Sequence, residues 1–366
     1  MNFDLDRQFM TAALTLGRRG QGRVWPNPAV GCVIVKDGIV LGRARTADGG
    51  RPHAETQALT QAGGAAKGAT AYVTLEPCSH HGKTGPCAEA LVEAGVTRVV
   101  VATTDPDPRV AGKGLEILRN AGITVDVGVC KAQADRDHAG FFSRLRRHRP
   151  FVTLKLASSF DGRIATSTGH SQWITGPEAR RSVHGMRARH DAVMVGAGTA
   201  RSDDPSLDVR GMGPVPQPVR IVVSRDLNIP LDGKLAKTAE RQPVWLVHGP
   251  AVDGAEWRAL GAKTMPVAVS RGQIDLEAAL HALADAGLTR IFCEGGGGLA
   301  GSLLQADLVD ELAVFTAGLG IGGDGTPSLA AMGVETLDQA RRFELDSVRQ
   351  VGGDTLTLWK RPQDLS

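Results

Sequence analysis

Apolar positions along the first 130 residues switch between helix-like and strand-like spacing. Residues 4 to 17 carry the helical spacing. VGCVIV and IVLGRA flank Lys36-Asp37-Gly38, which reads as a hairpin turn. A helix follows from about Ala54 to Ala62. ATAYVTL then reads as strand, CAEALVEAG as helix, TRVVVATTD as strand, GKGLEILRNAG as helix and TVDVGV as strand. Gly95 and Gly122 stand where helix C-caps are expected. Strands alternating with helices predict an α/β sheet with helices packed on its faces.

Residues 132 to 147 read as helical and basic, and the segment ending at Pro150 reads as a linker, since proline disfavours helix at Arg149. A second alternating series begins at FVTLKLA. Its strands are DAVMVGA, VRIVVS, PVWLVHG, RIFCEG and ELAVFTA, and its helices lie near 177–189, 275–286 and 298–305. RFELDSVRQVGGDTLTLWKR closes the chain as a hairpin around Gly352-Gly353. The pattern therefore predicts two domains, 1–147 and 150–366, as expected for a chain of 366 residues.

Composition narrows the function classes. The chain is 42% hydrophobic and 22% charged, with a net charge of +3. The nearest thing to a basic patch is Arg144 to Arg149, a cluster of the size of a solvated face or linker. With one Tyr there is little surface for stacking bases, so a small-molecule substrate is expected and a nucleic acid is not. No apolar run reaches the ~18 residues of a membrane span. MNFDLDRQFM lacks a basic region followed by an apolar core, so no secretory leader is expected. Five cysteines (Cys32, Cys78, Cys87, Cys130 and Cys293) do not form a secreted disulfide framework, and the expected compartment is the cytoplasm. No motif fixes an oligomeric state, and a homo-oligomer is compatible with the chain.

The first chemical constellation is His53-Ala54-Glu55 at a helix start, Glu76-Pro77-Cys78 after a strand, and Cys87 at the next helix start. One imidazole and two thiolates make a suitable shell for Zn²⁺ and leave one position for water. Both cysteines stand at or before a helix start, where the dipole favours thiolate. Glu55, two residues from His53, is placed beside the metal to move protons. A structural zinc knuckle would need a fourth ligand, for which His80 and His81 are the neighbours. The H-x-E and P-C pairings fit a zinc deaminase, although the usual C-x-x-C is here opened to eight residues between Cys78 and Cys87.

EPCSHHGKTGPC, with VWPNPAVGCVIV and HAE upstream, closely resembles the deaminase half of the bifunctional riboflavin-biosynthesis deaminase/reductase family. The resemblance runs over nearly the whole chain, deaminase first. It implies a cytidine-deaminase-like three-layer domain followed by a dihydrofolate-reductase-like α/β domain. It implies that His53, Cys78 and Cys87 bind one zinc, that Glu55 is the proton shuttle and that Asn27 holds the substrate ring. The implied substrate is a diaminopyrimidinone carrying a phosphoribosylamino group. Three positions depart from the family's usual pattern: Trp25 before PNP, Thr46 where histidine is common, and Gly85 at the first proline of TPPC. They bear on ribose-phosphate contacts, for which Lys83 is a further candidate, and leave the zinc chemistry intact.

A second constellation, Cys293-Glu294 followed by Gly295 to Gly298, follows a strand and opens a helix. Glycines let a backbone approach a phosphate, and the helix start presents free N–H groups, but the run is not the dinucleotide fingerprint G-x-G-x-x-G. LKLASSFDGRIATSTGHSQWIT, RARHDAVMVGAGTARSDDPSL and CEGGGGLAGSLLQADLVDEL resemble the family's reductase half. The resemblance implies NADPH bound by Ala157, Trp173, Thr199, Asp203, Gly296, Gly297, Gly298, Leu299, Ala300, Gly301 and Ser302. It implies substrate bound by Ser171, Arg187, Leu207, Arg210 and Glu294. Arginines suit a ribose phosphate because the guanidinium pairs with it bidentately. Lys155 and Asp161 are further candidates as proton or hydrogen-bond partners. Arg225, where the family commonly shows Asp-Ser, is a candidate for the 2′-phosphate of NADPH. The competing readings are a nucleic-acid or nucleoside deaminase with an accessory domain, and a zinc-stapled binding protein with no role for Glu55.

Overall fold

The computed structural model describes residues 3–81, 85–107 and 111–362, and Lys83 lies outside them. The chain forms two compact units, Met1–His148 and Arg149–Ser366.

In the first unit the strands order as Ile39–Arg45, Gly31–Lys36, Thr70–Val73, Arg98–Val101 and Thr124–Val127. The first two pairings are antiparallel and the last two parallel. Asp37 and Gly38, at φ 51° and 77°, make the tight turn that the sequence announces. Alternate residues of each strand serve opposite faces. Cys32, Ile34, Ala71, Val73, Val99 and Val101 pack with Ala54, Ala58, Leu91 and Leu118 from the helices Ala54–Ala62, Cys87–Glu93 and Lys113–Asn120. Val33, Val35, Tyr72 and Val100 pack instead with Met10, Leu14 and Ala134 from Phe3–Arg18 and Lys131–Asp137. The result is a three-layer sandwich.

One sequence expectation changes here. The helical, basic stretch expected over 132–147 is divided into two helices, Lys131–Asp137 and Ala139–Arg147, meeting at His138. His138 is buried and its Nε2 lies 3.2 Å from Thr74 Oγ1 on the sheet side, a tertiary contact that local patterning does not carry.

The second unit is built on a nine-stranded sheet. Its order is Lys263–Pro266, Val244–His248, Val219–Val223, Ala192–Gly196, Arg290–Cys293, Phe151–Ser159, Glu311–Ala317, Asp354–Lys360 and Glu344–Val351. Pairing is parallel as far as Glu311–Ala317, and the closing hairpin is antiparallel. The inner parallel strands Ala192–Gly196 and Val244–His248 are buried along nearly their whole length, which is why they read as apolar runs. The edge strand Lys263–Pro266 and the short helices Ala197–Asp203, Lys234–Lys237 and Ala255–Ala259 are absent from the sequence reading. Among the described residues no helix is long and apolar enough to cross a membrane.

Candidate active sites

His53 is the N-cap of the helix Ala54–Ala62, and Cys87 is the first residue of Cys87–Glu93. Cys78 lies in the loop between strand and helix. His53 Nδ1 stands 3.4 Å from Cys87 Sγ and 3.7 Å from Cys78 Sγ. Tetrahedral zinc bonded to nitrogen and sulfur has N···S edges of about 3.6 Å. The two N···S distances thus match two edges around such an ion, and all three donor atoms lie within 4.8 Å of one another. The Cys87 N–H donates to Cys78 Sγ at 3.3 Å, which favours a thiolate at Cys78. As bare groups the two thiols split. Cys78 is drawn down to about 4, chiefly by the Cys87 thiol acting as hydrogen-bond donor to it, while Cys87 is driven up by donating to Cys78 and by burial. A shared cation removes this conflict by accepting both as thiolates. Among the described residues the group consists of these three donors; His80 and His81 are not part of it. That leaves the open position of a catalytic site and supplies no fourth ligand for a closed knuckle.

Glu55 is 3% exposed in the first turn of the helix that His53 caps. Burial raises its carboxyl to about 7, the Cys78 charge adds to this, and His53 opposes it. Such a group can both hold and release a proton near neutral pH.

Asn27 sits in a loop tied to the segment before His53. Thr46 is 2% exposed; its Oγ1 donates to Pro28 O and accepts from Val30 N–H, each at 3.0 Å. Ala47 N–H donates to Pro52 O at 3.0 Å, next to His53. Gly50, at φ 87°, lies against the Asn27 side chain where a Cβ would collide with it. Thr46 therefore serves the loop that carries Asn27. Glu76 of the E-P-C motif is likewise used by the fold: it accepts from the N–H groups of Asp105, Gly112 and Gly114 at 3.1–3.3 Å.

In the second unit a buried charge cluster stands at the carboxyl ends of the central strands. Glu294 follows Arg290–Cys293, and Arg187 ends the helix Pro177–Arg187. Arg187 Nε and Nη2 donate to the two Glu294 oxygens at 2.5 and 3.1 Å, and Nη1 donates to Asp208 O at 2.7 Å. Lys155 Nζ lies 3.9 Å from Glu294 Oε2. Burial pushes the Glu294 carboxyl up, but Arg187 and Lys155 outweigh it and hold it below its ordinary value. Burial lowers the Lys155 ammonium against the pull of Glu294. Arg210 is exposed; its Nε stands 3.2 Å from Asp208 Oδ1, and its main-chain N–H donates to His184 Nδ1 at 3.2 Å. Leu207 is buried at φ 53°. His184 and Asp208, which organise this corner, are absent from the sequence reading; an Asp in a loop and a His on a polar helix carry no local signal.

The glycine run is organised by contacts on both sides. Gly295 takes φ 80°, and Gly296 N–H donates to Thr199 Oγ1 at 3.1 Å, joining the helix Ala197–Asp203 to the run. The helix Gly297–Gln305 follows. Gly298 and Ser302 are exposed, Leu299 is half-buried, and Ala300 and Gly301 are buried. A Cβ at Gly298 would meet nothing within 4 Å, so that side can accept a close ligand. Ala157 is half-buried on the central strand Phe151–Ser159, while Ser171, Trp173 and Asp203 are exposed. The Arg180 guanidinium lies over the Trp173 ring at 4.6 Å.

A three-layer domain with an open His-Cys-Cys centre and a second parallel-sheet unit with a glycine-rich helix start define a two-site deaminase and reductase. Residues 4–103 match the cytidine and deoxycytidylate deaminase zinc-binding region, and residues 150–357 match the RibD C-terminal domain. The riboflavin biosynthesis protein RibD of Aquifex aeolicus is 40% identical, covering 98% of this chain and 99% of its own. That of Escherichia coli is 42% identical, covering 95% and 97%. The Acinetobacter baumannii RibD structure superposes with a TM-score of 0.90 at 39% identity, over 99% of this chain and 100% of that one. A Thermotoga maritima diaminohydroxyphosphoribosylaminopyrimidine deaminase/5-amino-6-(5-phosphoribosylamino)uracil reductase gives 0.86 at 31%, with the same coverage. The chain belongs to the RibD family of bifunctional riboflavin-biosynthesis enzymes, and is a zinc-site deaminase and a reductase. The expectation of a nucleic-acid or nucleoside deaminase is not favoured.

Proposed function

We propose that the chain deaminates 2,5-diamino-6-(5-phosphoribosylamino)pyrimidin-4-one and then reduces the ribosyl group with NADPH, giving 5-amino-6-(5-phosphoribitylamino)uracil. The observation that carries this reading is the pairing of an open zinc-type centre beside a buried Glu55 with a Lys155–Glu294–Arg187 cluster in the same chain. His53, Cys78 and Cys87 hold the zinc. When bound, the ion supplies a water acidified toward neutrality. With the ion in place, Glu55 would relay protons from the attacking water to a ring nitrogen and to the departing amine, so that the water oxygen stays on the ring and ammonia leaves. Asn27 holds the ring, on a loop fixed by Thr46 and Gly50.

In the reductase, Ala157, Trp173, Thr199, Asp203 and Gly296 to Ser302 bind the dinucleotide. When bound, NADPH supplies the hydride that reaches C1′ of the ribosyl group. Ser171, Arg187, Leu207, Arg210 and Glu294 hold the substrate. Arg187 is held rigid by Glu294 and Asp208 O, which preorganises a cation for the ribose phosphate. Arg225, half-exposed, tethered through Nη1 to Gly272 O at 2.7 Å and 3.9 Å from Asp226 Oδ2, is the candidate cation for the 2′-phosphate. Among the described residues all five cysteines are unpaired, which supports a reducing, cytoplasmic setting. The test is sequential: ammonia release from the diaminopyrimidinone, then NADPH oxidation dependent on it. Deamination of cytidine or single-stranded nucleic acid, without turnover of this substrate, would overturn the reading.

A further inference from the structure

The helix Gly297–Gln305 presents two different faces. Gly297, Gly301 and Gln305 fall on one face at four-residue spacing. A strap of chain, residues 319–332, lies along it. A Cβ at Gly297 would stand 3.3 Å from Pro327 O and 3.4 Å from both Ala330 N and Ser328 O. One at Gly301 would stand 3.3 Å from Ala330 O, and Gln305 Nε2 donates to Met332 O at 3.4 Å. Ala330 N–H donates to Gly297 O at 3.1 Å. These glycines are small so that the strap can seat, whereas Gly298 opens to free space.

The other border of the strap is sewn to the segment after Phe151–Ser159. Phe160 N–H donates to Leu319 O and Ser328 N–H donates to Gly162 O, each at 3.0 Å. Thr326–Pro327 pairs with Arg163–Ala165. At the head of this seam stands Asp161, an exposed carboxylate. It accepts from Gly322 N–H at 2.7 Å, from Ile321 N–H at 3.2 Å, and from Ser159 Oγ at 2.5 Å. Gly322 takes φ 103°, a conformation that permits this turn of amides onto one carboxylate. The Ser159 hydroxyl first, and then the Gly322 amide, hold the Asp161 carboxyl down at about 2, so it is charged throughout the working range.

We propose that Asp161 is a positioning residue for the reductase: it anchors the 319–332 strap, which walls one side of the Gly297–Gln305 helix start and sets the shape of the dinucleotide cradle. The proposal rests on the reading of that helix start as the pyrophosphate site. Asp161 touches neither hydride nor substrate in this account. Its removal loosens the wall, so cofactor binding weakens while chemistry from the bound state persists.

The experiment uses the full chain with Asp161→Ala, the near-isosteric Asp161→Asn, and Gly298→Val as a control inside the cradle. NADPH is titrated by its fluorescence, and KM, kcat and ammonia release are measured alongside. Asp161→Ala should raise the NADPH Kd and KM about tenfold, for the loss of three hydrogen bonds to a charged acceptor, with kcat within about twofold and ammonia release unchanged. Asp161→Asn, which keeps one acceptor oxygen, should show a smaller rise. Protease cleavage within 319–332 should accelerate in Asp161→Ala and be suppressed by NADPH. If Gly298→Val weakens NADPH while both Asp161 variants bind it as the parent does, the strap proposal falls alone. If all three bind normally, the cradle reading falls and the proposal with it. A collapse in kcat with Kd unchanged also overturns it.

Discussion

Replacing Arg187 with Met tests the buried cluster on which the reductase reading rests. Arg187 and Glu294 side chains are 12% and 10% exposed, and their bidentate contact is 2.5 and 3.1 Å. Methionine keeps length and apolar stem but leaves Glu294 facing only Lys155 at 3.9 Å and the more distant His184. Breaking a buried pair costs about 3–5 kcal/mol when the remaining charge is unpaired. Lys155 retains part of that compensation, so about 2–4 kcal/mol is expected, or roughly 5–12 °C in the melting of the second unit. The pH dependence gives the sharper signal. In the parent the Glu294 carboxyl is lowered on folding, so its stabilisation is present above its unfolded pKa and is lost as pH falls through the folded one. In the variant burial is no longer outweighed, the folded carboxyl moves up, and stability falls as pH rises through it. The difference in melting temperature between parent and variant should therefore be wide at pH 8 and narrow at about pH 5. Calorimetry at the two pH values checks this, and adding Glu294→Gln to Arg187→Met should restore much of the loss at pH 8. A gap that is equal at both pH values, or a total loss under about 1 kcal/mol, would refute the reasoning.

Glu55→Gln should retain one zinc per chain by metal analysis while ammonia release falls by about 10²–10⁴-fold, since the amide is isosteric but cannot carry the proton; near-normal turnover would remove Glu55 from the chemistry. Gly298→Val should weaken NADPH binding with little change in melting temperature. Gly297→Val should lower both, because its side chain meets the main chain at Pro327, Ser328 and Ala330; the opposite ordering would mean that the open face is not the ligand face. Arg225→Ala should weaken NADPH more than NADH by about 1 kcal/mol, about fivefold, a value kept low because the guanidinium is half-exposed and screened. Equal losses for the two nicotinamides, read by titration, would detach Arg225 from the 2′-phosphate.

What local pattern could announce, it did. Strand–helix alternation is visible because the central strands of the first unit bury alternate residues against different helices, and fully buried strands of the second such as Ala192–Gly196 are apolar runs. His53, Cys78 and Cys87 were legible because metal ligation demands particular residue types at helix starts. The edge strand Lys263–Pro266 escaped because an edge tolerates proline and polar residues that mask its period. The break at His138 escaped because the contact made there, with Thr74, is distant in sequence. The same holds for the strap, whose GLGIGGDG segment is ordered by amides that Asp161 collects from far away in the sequence.

Thr46 shows how a departure from a family pattern acquires meaning only through its contacts. A hydroxyl that both donates to Pro28 O and accepts from Val30 N–H, inside a site with 2% exposure, is committed to the loop carrying Asn27. It does not titrate, and its donor is already used. A histidine at that position would bring a larger ring and a switchable charge, whereas threonine brings only a fixed brace. Under the proposed function, the charge of a phosphorylated substrate must then be met by cations elsewhere. The unit is not short of arginine, but Arg98 is bound to Asp6 and Asp126, and Arg18 to Asp137. Arg45 is the cation built into the Thr46 loop itself: Nη1 donates to Thr46 O at 2.7 Å and Nη2 to Asp48 Oδ1 at 2.7 Å. Its charge is therefore partly neutralised by Asp48. The charge at this corner comes from arginines of the loop and its neighbours, with Arg45 at 2.7 Å and Arg23 at 3.9 Å from Asp48, and not from the neutral Thr46.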